Sequence, residues 1–568
     1  MQTKSCDLLI VGSGAAAMSA ALTAMVAGLK VLMVEKEEYF GGASARSGGC
    51  IWMPNWSRAT DAGGNDSRED AVRFLMHENG PRYNRTTAES FIDNGPAAID
   101  FLEQHSELVF KWLPGFPDYH CDSPGGSTTG RAYYPQSWDA GPLGREIHRL
   151  RPQPSFGTFL GMQIGVNEVG TYITAGRSFR SLLYVGKCIL RRFRDQFRAG
   201  RSLRLCSGNA LIGSLAAAAL QRGLELLTST PARELIREGD RIIGAMVDTP
   251  TGRLRVEASR GVLLATGGFP HDSKRRAELF PPGATAPEVW GMMPYGNSGD
   301  GIRMAEAVGG KFSADMKSPI ALTPINTLRM GEGPLSTMPI FFSRGMPGLI
   351  AVTRDGRRFC NEGRSYHDFG SALLVKASGE PQAVAWIVCD HRLLRRWGLG
   401  LAYPFPLPYR QHIKSGYLKA GSTVRELALN AGIDPEGLER TVTAYNLDAA
   451  RGQDPEFHRG SNAFDLANGD PTNKPNPCVG PLDHGPYYAI RVYAGCVGTF
   501  AGLQTDGNAR VVDASGRPIP GLYAAGNDMA SITGGTYVAG GCTLGPGLTF
   551  GYIAARHAAG LGINNVQH

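Results

Sequence analysis

The apolar positions of this chain fall first into short, uninterrupted runs. Asp7 to Val11 is one, closed by Gly12, and Leu29 to Val34 is another. Runs this short without polar alternation predict parallel strands buried on both faces. The Ala/Met-rich stretch between them, reaching about Ala27, predicts a helix. Leu224 to Ser229 and Gly261 to Ala265 read as further buried strands, and Gly208 to Leu220 as an Ala/Leu helix. Residues 67 to 108 follow another rhythm. Ala71, Phe74, Leu75 and later Ala98, Phe101, Leu102 recur at helical spacing behind Ser, Asp and Asn starts. From about residue 317 the pattern becomes proline-punctuated, with mixed strands and helices. The order predicts an α/β protein.

The first strand runs into Gly12-Ser13-Gly14-Ala15-Ala16-Ala17, a G-x-G-x-x-A turn, and the second ends at Glu35-Lys36. A dinucleotide site needs each of these parts. Gly12 permits a tight turn, Gly14 lets backbone approach a pyrophosphate, and Ala17 keeps the helix near the strand. The free N–H groups at Ala15 and Ala16 open the helix toward phosphate, and Glu35 can accept from a ribose hydroxyl. Strand, turn, helix, strand and acid in this order specify a dinucleotide far better than the glycines alone.

Composition bounds the rest. A chain of 568 residues with 42% hydrophobic residues and 75 glycines suits two globular, loop-rich domains. No run is apolar enough to span a bilayer, and the N-terminus enters a strand without a signal peptide. The ten cysteines are scattered without a C-x-x-C pair. They read as reduced thiols of a cytoplasmic protein with no metal site. Net charge is +7, and much of the positive charge sits in residues 177 to 204. There Arg177, Arg180, Lys187, Arg191, Arg192, Arg194, Arg198, Arg201 and Arg204 face one acid, Asp195. Phe179, Leu182, Leu183, Ile189, Leu190, Phe193 and Phe197 recur between them at helical spacing. Two readings fit: a helix lying on a membrane surface or acidic partner, or one packed on its own domain with a solvated basic face. Nucleic acid is disfavoured because no recognition module accompanies the charge.

Further small-residue stretches carry a family resemblance. Tyr39-Phe40-Gly41-Gly42-Ala43-Ser44 and Arg46-Ser47-Gly48-Gly49 resemble the FAD entry of the flavoproteins that include fumarate reductase, succinate dehydrogenase and the 3-ketosteroid dehydrogenases. The resemblance implies a Rossmann-like FAD-binding domain of the two-dinucleotide-fold type with an inserted α+β catalytic domain. Its parts would be residues 1–316, carrying the basic insertion at about 170–206, then 317–498 as the catalytic domain, and 499–568 completing the flavin domain. Arg233 to Val247 and Leu254 to Ala258 resemble the family's β-meander. The implied cofactor residues are Gly12, Gly14, Ala15, Ala16, Glu35, Lys36, Gly42, Ala43, Ser44, Gly48, Gly49, Ala265, Thr266, Gly267, Gly268, Asp300, Gly526, Asn527, Leu544 and Gly545. No histidine occurs between Met1 and Met76, so the FAD is expected to be non-covalent.

The substrate side is more specific. The stretch from Arg357 to Asp368 resembles a G-x-R-F-x-N-E segment that in fumarate reductases leads to an Arg-Asp pair. Here the pair is His367-Asp368, and Tyr366 precedes it in the N-E-x-x-x-Tyr pattern of the 3-ketosteroid Δ1-dehydrogenases. Tyr537 and Gly541, four residues apart, resemble that family's donors to the substrate ketone, and Tyr119, on a loop after Pro117, completes the set. The resemblance implies proton abstraction at C2 by Tyr366, assisted by Tyr119. The ketone would be polarised by Tyr537 and Gly541, and the C1 hydride would pass to flavin N5. A phenol near pKa 10 can take such a proton only if the carbonyl is polarised. The expected partners are a 3-ketosteroid and an external acceptor, quinone-like or oxygen. The expected location is the cytoplasm, with the inner membrane face as the alternative that the basic helix opens. Desaturation at Δ4(5), a fumarate-reductase-like activity, and a non-enzymatic flavin or membrane protein are the other readings.

Overall fold

Strand Gln2–Val11 lies between Val31–Val34 and Gly252–Leu264, parallel to both. The structure is a computed structural model that describes residues 2–154, 157–284, 293–329, 335–341 and 343–562. Glu225–Leu227 extends this sheet beyond Val31–Val34, and Pro518–Ala524 adds in parallel beside Val262 to Leu264. The meander and the buried strand that the sequence suggests as separate elements are joined. The 13-residue strand Gly252–Leu264 pairs antiparallel with Arg241–Thr249 through its first half and parallel with Gln2–Val11 along its length. Gly261 (φ +122°) makes this arrangement work, because a Cβ there would sit 2.3 Å from the Gly521 carbonyl oxygen of the incoming strand.

The first helix, Ala15–Val26, is buried along almost its whole length. Ser207–Gln221 and Leu544–Ala558 pack on it. Gly551 permits the closest approach, since a Cβ would fall 2.2 Å from the Ala16 carbonyl oxygen. Residues 67 to 108 form two helices, Arg68–Asn79 and Arg85–Gln104, separated at Gly80-Pro81. Each is capped as its sequence suggests. The Ser67 side chain accepts from the Asp70 N–H and Asn84 from the Thr87 N–H.

A second sheet occupies the middle of the chain. Tyr487–Thr499 is its central strand, antiparallel to Ile320–Arg329 on one side and Val384–Cys389 on the other. Leu349–Val352 follows outward from Val384–Cys389. Helix Tyr366–Lys376 packs on Ile320–Arg329, where Gly370 lies against Leu322.

Beneath the turn that leads into this helix lies a buried ion network. Arg358 donates to both oxygens of Glu362 (2.9 and 2.7 Å) and to both oxygens of Asp454 (2.7 and 2.8 Å). Arg459 donates to Glu362 at 3.0 Å and to the Leu349 carbonyl at 2.7 Å. All four side chains are buried. Burial alone would push the Glu362 carboxyl up, but Arg358 and Arg459 hold it below the usual carboxylate range. Removing one partner of such a set leaves charge stranded, at a cost of about 3–5 kcal/mol. Glu362→Gln should therefore lower the thermal midpoint of the holoprotein by several degrees in circular dichroism. A midpoint equal to wild type would show that the network does not hold this turn.

Candidate active site

The cofactor cradle is built where the two helix starts converge. Gly12 (φ +105°) donates to the Val34 carbonyl at 2.8 Å, and a Cβ on it would reach 2.2 Å from the Ala265 carbonyl oxygen. The Ser44 hydroxyl accepts from the Ala15 N–H at 3.0 Å, so the Gly42-Ala43-Ser44 turn lies over the first helix's N-terminus. Gly42 and Gly14 face each other, with a Gly42 Cβ still 3.8 Å from the Gly14 Cα. Gly49 (φ +73°) could carry no side chain, because a Cβ would lie 2.6 Å from the Ser207 backbone. Glu35 is buried at the end of its strand and accepts from the Ser13 hydroxyl at 2.5 Å. Burial raises its carboxyl. Lys36 and Asp300 are brought together as an ion pair.

On the other side, Leu544 and Gly545 begin the terminal helix, and a Gly545 Cβ would lie 2.3 Å from the Trp52 carbonyl oxygen. Gly526 (φ +65°) lies against Ala16. Asp528 was not apparent in the sequence, although it stands only two residues after Gly526. It accepts from the Thr266 N–H (2.6 Å), the Thr266 hydroxyl and the Gly268 N–H (2.9 Å), fixing the Ala265–Gly268 loop. A cleft opens at this helix start, lined by Thr499, Phe500, Gly526, Asn527, Thr543 and Gly547 among others. The buried Thr499 hydroxyl has no protein hydrogen-bond partner among the described residues. Small residues, positive-φ glycines, two helix N-termini and an unused buried hydroxyl fit the phosphates and planar ring of FAD.

The tyrosines meet beside this cleft. Tyr119 comes from a loop, Tyr366 from the first position of helix Tyr366–Lys376, and Tyr537 from the loop before the terminal helix. Ring centres are 5.5 Å apart for Tyr119 and Tyr366, 4.9 Å for Tyr366 and Tyr537, and 5.9 Å for Tyr119 and Tyr537. Phe341, Phe464 and Phe500 wall the group. Thr543, which lines the flavin cleft, lies within polar reach of the Tyr537 hydroxyl. Burial pushes all three phenols above their ordinary range, and the other two tyrosines raise Tyr366 further. Gly541 (φ +93°) sits where a Cβ would lie 2.5 Å from the Cys50 carbonyl oxygen and from Ile51 backbone atoms. Its carbonyl accepts from the Trp52 N–H at 3.1 Å.

Side chains that the sequence did not single out hold the tyrosines. Asp118 accepts from Arg131 at 2.7 Å and from the Trp52 indole at 2.9 Å, anchoring the Tyr119 loop, and the Tyr119 N–H donates to the Val538 carbonyl at 2.9 Å. His120 stands between two carboxylates, with Nδ1 2.6 Å from Glu78 and Nε2 2.9 Å from Asp368. Burial would lower His120, but Asp368 and Glu78 overcome it and hold the imidazole up to about 10. Asp368 also accepts from the Ser365 hydroxyl at 2.8 Å, so this clamp joins the Tyr119 loop to the Tyr366 helix. His367 is held down to about 4 by burial and accepts from the Leu322 N–H at 3.1 Å, which leaves it neutral. Arg344 is buried and donates to the carbonyls of Ile340, Phe341, Glu362 and Arg364. The partners of His120 lie 42 and 248 residues away and those of Arg344 are main-chain carbonyls, so local spacing could not reveal them.

This architecture is shared with known proteins. The family described as "FAD binding domain" matches residues 7–544. The chain is 38% identical to the 4-oxocyclohex-2-ene-1-carboxylate 5-dehydrogenase of Sinomonas cyclohexanicum, over 99% of this chain and 95% of that one. It is 34% identical to the 3-oxosteroid 1-dehydrogenase of Mycolicibacterium smegmatis, over 97% of each. Among solved structures, the 3-ketosteroid delta1-dehydrogenase of Sterolibacterium denitrificans, in complex with 1,4-androstadiene-3,17-dione, superposes with a TM-score of 0.89 at 33% identity. That match covers 98% of this chain and 99% of that one. With a family match across most of its length and a cleft suited to the cofactor, the chain belongs to the FAD-binding domain family and its cofactor is FAD.

Proposed function

We propose that this FAD-dependent dehydrogenase desaturates a 3-ketosteroid between C1 and C2. The observation that carries the reading is the buried trio Tyr119, Tyr366 and Tyr537, placed with Gly541 beside the flavin cleft. The relative from M. smegmatis and the S. denitrificans structure support the substrate class. A water-excluded, aromatic-walled site strengthens each hydrogen bond to a developing enolate and suits an apolar polycyclic ketone. The Tyr537 hydroxyl and Gly541 N–H are the donors to the ketone oxygen. Tyr366 takes the α proton, and its side chain stems from the positive end of a helix capped by Ser365. Tyr119 lies beside it and relays the proton. Bound FAD would supply the two-electron acceptor for the β hydrogen, with a quinone-like compound or oxygen as the proposed external oxidant.

The second reading is a one-ring ketone bearing a carboxylate, favoured by the 38% identity to the Sinomonas enzyme. A carboxylate calls for a free cation opposite the ketone. Among the described residues, three cations near the tyrosines are engaged, whereas Lys317, whose charge reaches His367 and Glu78, has no ion-pair partner. His120 is clamped between acids, Arg344 is spent on carbonyls, and Arg364 pairs with Asp122 at 3.0 Å. The aromatic wall around the tyrosines favours the steroid, and Lys317 is the cation a carboxylate would use.

Anaerobic mixing with 4-androstene-3,17-dione should bleach the flavin and give a 1,2-desaturated product by NMR. A one-ring keto acid at equal concentration should reduce it far more slowly. Reduction by the keto acid alone would reverse the assignment. Tyr366→Phe should lower flavin reduction by about 10²–10⁴ while leaving steroid binding intact. Because burial raises all three phenols, wild-type kcat/KM should climb with pH through the neutral and alkaline range. A flat profile would remove Tyr366 as the base.

The His120 clamp makes a separate prediction. Its folded pKa is raised from 6.5 to about 10, so its stabilising contribution is complete below pH 6.5 and lost as pH rises through about 10. His120→Gln should thus be less stable than wild type at pH 6.5, with the gap closing toward pH 10 in thermal scans. A gap independent of pH would show that His120 is not charged between its two acids.

A further inference from the structure

Helix Phe179–Ala199 turns its apolar side to solvent. At 100° per residue, Phe179, Leu183, Leu190, Phe193 and Phe197 form a single stripe. Phe179, Leu190, Phe193 and Phe197 are 76%, 72%, 70% and 97% exposed. The opposite side faces the protein, where Val185 and Asp195 are buried. Asp195 is buried and accepts from the Leu203 N–H at 3.1 Å, the Tyr184 hydroxyl donates to Glu168 at 2.5 Å, and Arg204 pairs with the same carboxylate. Arg191 is tied to Asp139. These bonds fix a surface helix with its apolar stripe exposed, which the hydrophobic effect disfavours in water. The expectation of a helix packed on its own domain is therefore met only by the side that carries Val185 and Asp195.

The same geometry sorts the charge. Arg180, Lys187, Arg194 and Arg198 are exposed and lie along one flank of the apolar stripe, and the helix's single acid, Asp195, is turned inward. The exposed side thus offers apolar side chains edged by cations, with no acid on the helix to oppose an anionic surface. A second copy of this chain would bring another basic row against the first, so self-association through this face is electrostatically opposed. No described helix is long and apolar enough to cross a membrane, which leaves a position along its surface.

We infer that Phe179–Ala199 docks the protein on an anionic lipid bilayer. The stripe enters the headgroup boundary, and the basic flank meets the negative lipid charges. The inference stands on this helix and does not depend on which ketone is the substrate. The insertion also reaches both halves of the molecule. Arg177 donates to the Arg395 carbonyl at 2.7 Å, and Gly176 lies against Phe405 and Pro406 of the central region. Docking would therefore hold the flavin and catalytic halves at one fixed orientation to the membrane.

Flotation of the FAD-loaded protein with phosphatidylserine-containing and with purely phosphatidylcholine vesicles tests this directly. Wild type should float with the anionic vesicles, at least about tenfold more than with neutral ones, and release at high salt. F193D/F197D and K187E/R194E/R198E should each lose flotation while keeping the flavin spectrum and ketone turnover in solution. Absence of wild-type flotation, or equal flotation by both variants, overturns the inference. So does a wild-type dimer in analytical ultracentrifugation that F193D/F197D converts to monomer without vesicles, since the stripe would then be a self-association face.

Discussion

Everything in the candidate site depends on keeping water away from three phenol groups. In water a phenol near pKa 10 has little power over a carbon acid, and hydrogen bonds to an enolate compete with solvent. Burial makes the phenols harder still to ionise, which opposes proton abstraction until a polarised ketone supplies a stronger acid. It also makes each directed hydrogen bond to the developing enolate worth more. The aromatic wall of Phe341, Phe464 and Phe500 and the position of Gly541 follow from that constraint. A side chain at Gly541 would push its loop off Cys50 and Ile51 and open the place where the ketone oxygen is expected.

Such a site must be held from several directions, because its tyrosines come from separate parts of the chain. The buried Arg358–Glu362–Arg459–Asp454 network fixes the turn before Tyr366, while Asp118 and Arg131 fix the loop before Tyr119. The Glu78–His120–Asp368 clamp joins these two regions. Buried ionic groups of this kind contribute little net stability, but they define one arrangement against many compact alternatives. Here that arrangement is the approach of Tyr119 to Tyr366.

The flavin half was legible because its constraints are local. Gly12, Gly14 and Glu35 lie within one strand-turn-helix-strand unit, and their spacing alone carries the chemistry. Tyr119, Tyr366 and Tyr537 were legible only through resemblance, since nothing in their own neighbourhoods distinguishes them from packed aromatics. His120 and Asp528 were missed because each acts on a partner distant in sequence. Gly252–Leu264 was read as two elements because its pattern changes from alternating to continuous burial at Gly261, where the strand's neighbours change. For Phe179–Ala199 periodicity gave the helix, but only the buried Asp195 and exposed Phe197 show which side faces out.

The account's central claim is that Tyr366 receives the α proton inside this closed group. The most direct measurement is the fate of a deuterium at C2 of a 3-ketosteroid mixed anaerobically with the enzyme. The account predicts that one label of a C2-dideuterated steroid appears in water as the flavin is reduced, and that Tyr366→Phe abolishes this release. Retention of both C2 labels through flavin reduction, or undiminished release by Tyr366→Phe, would contradict it.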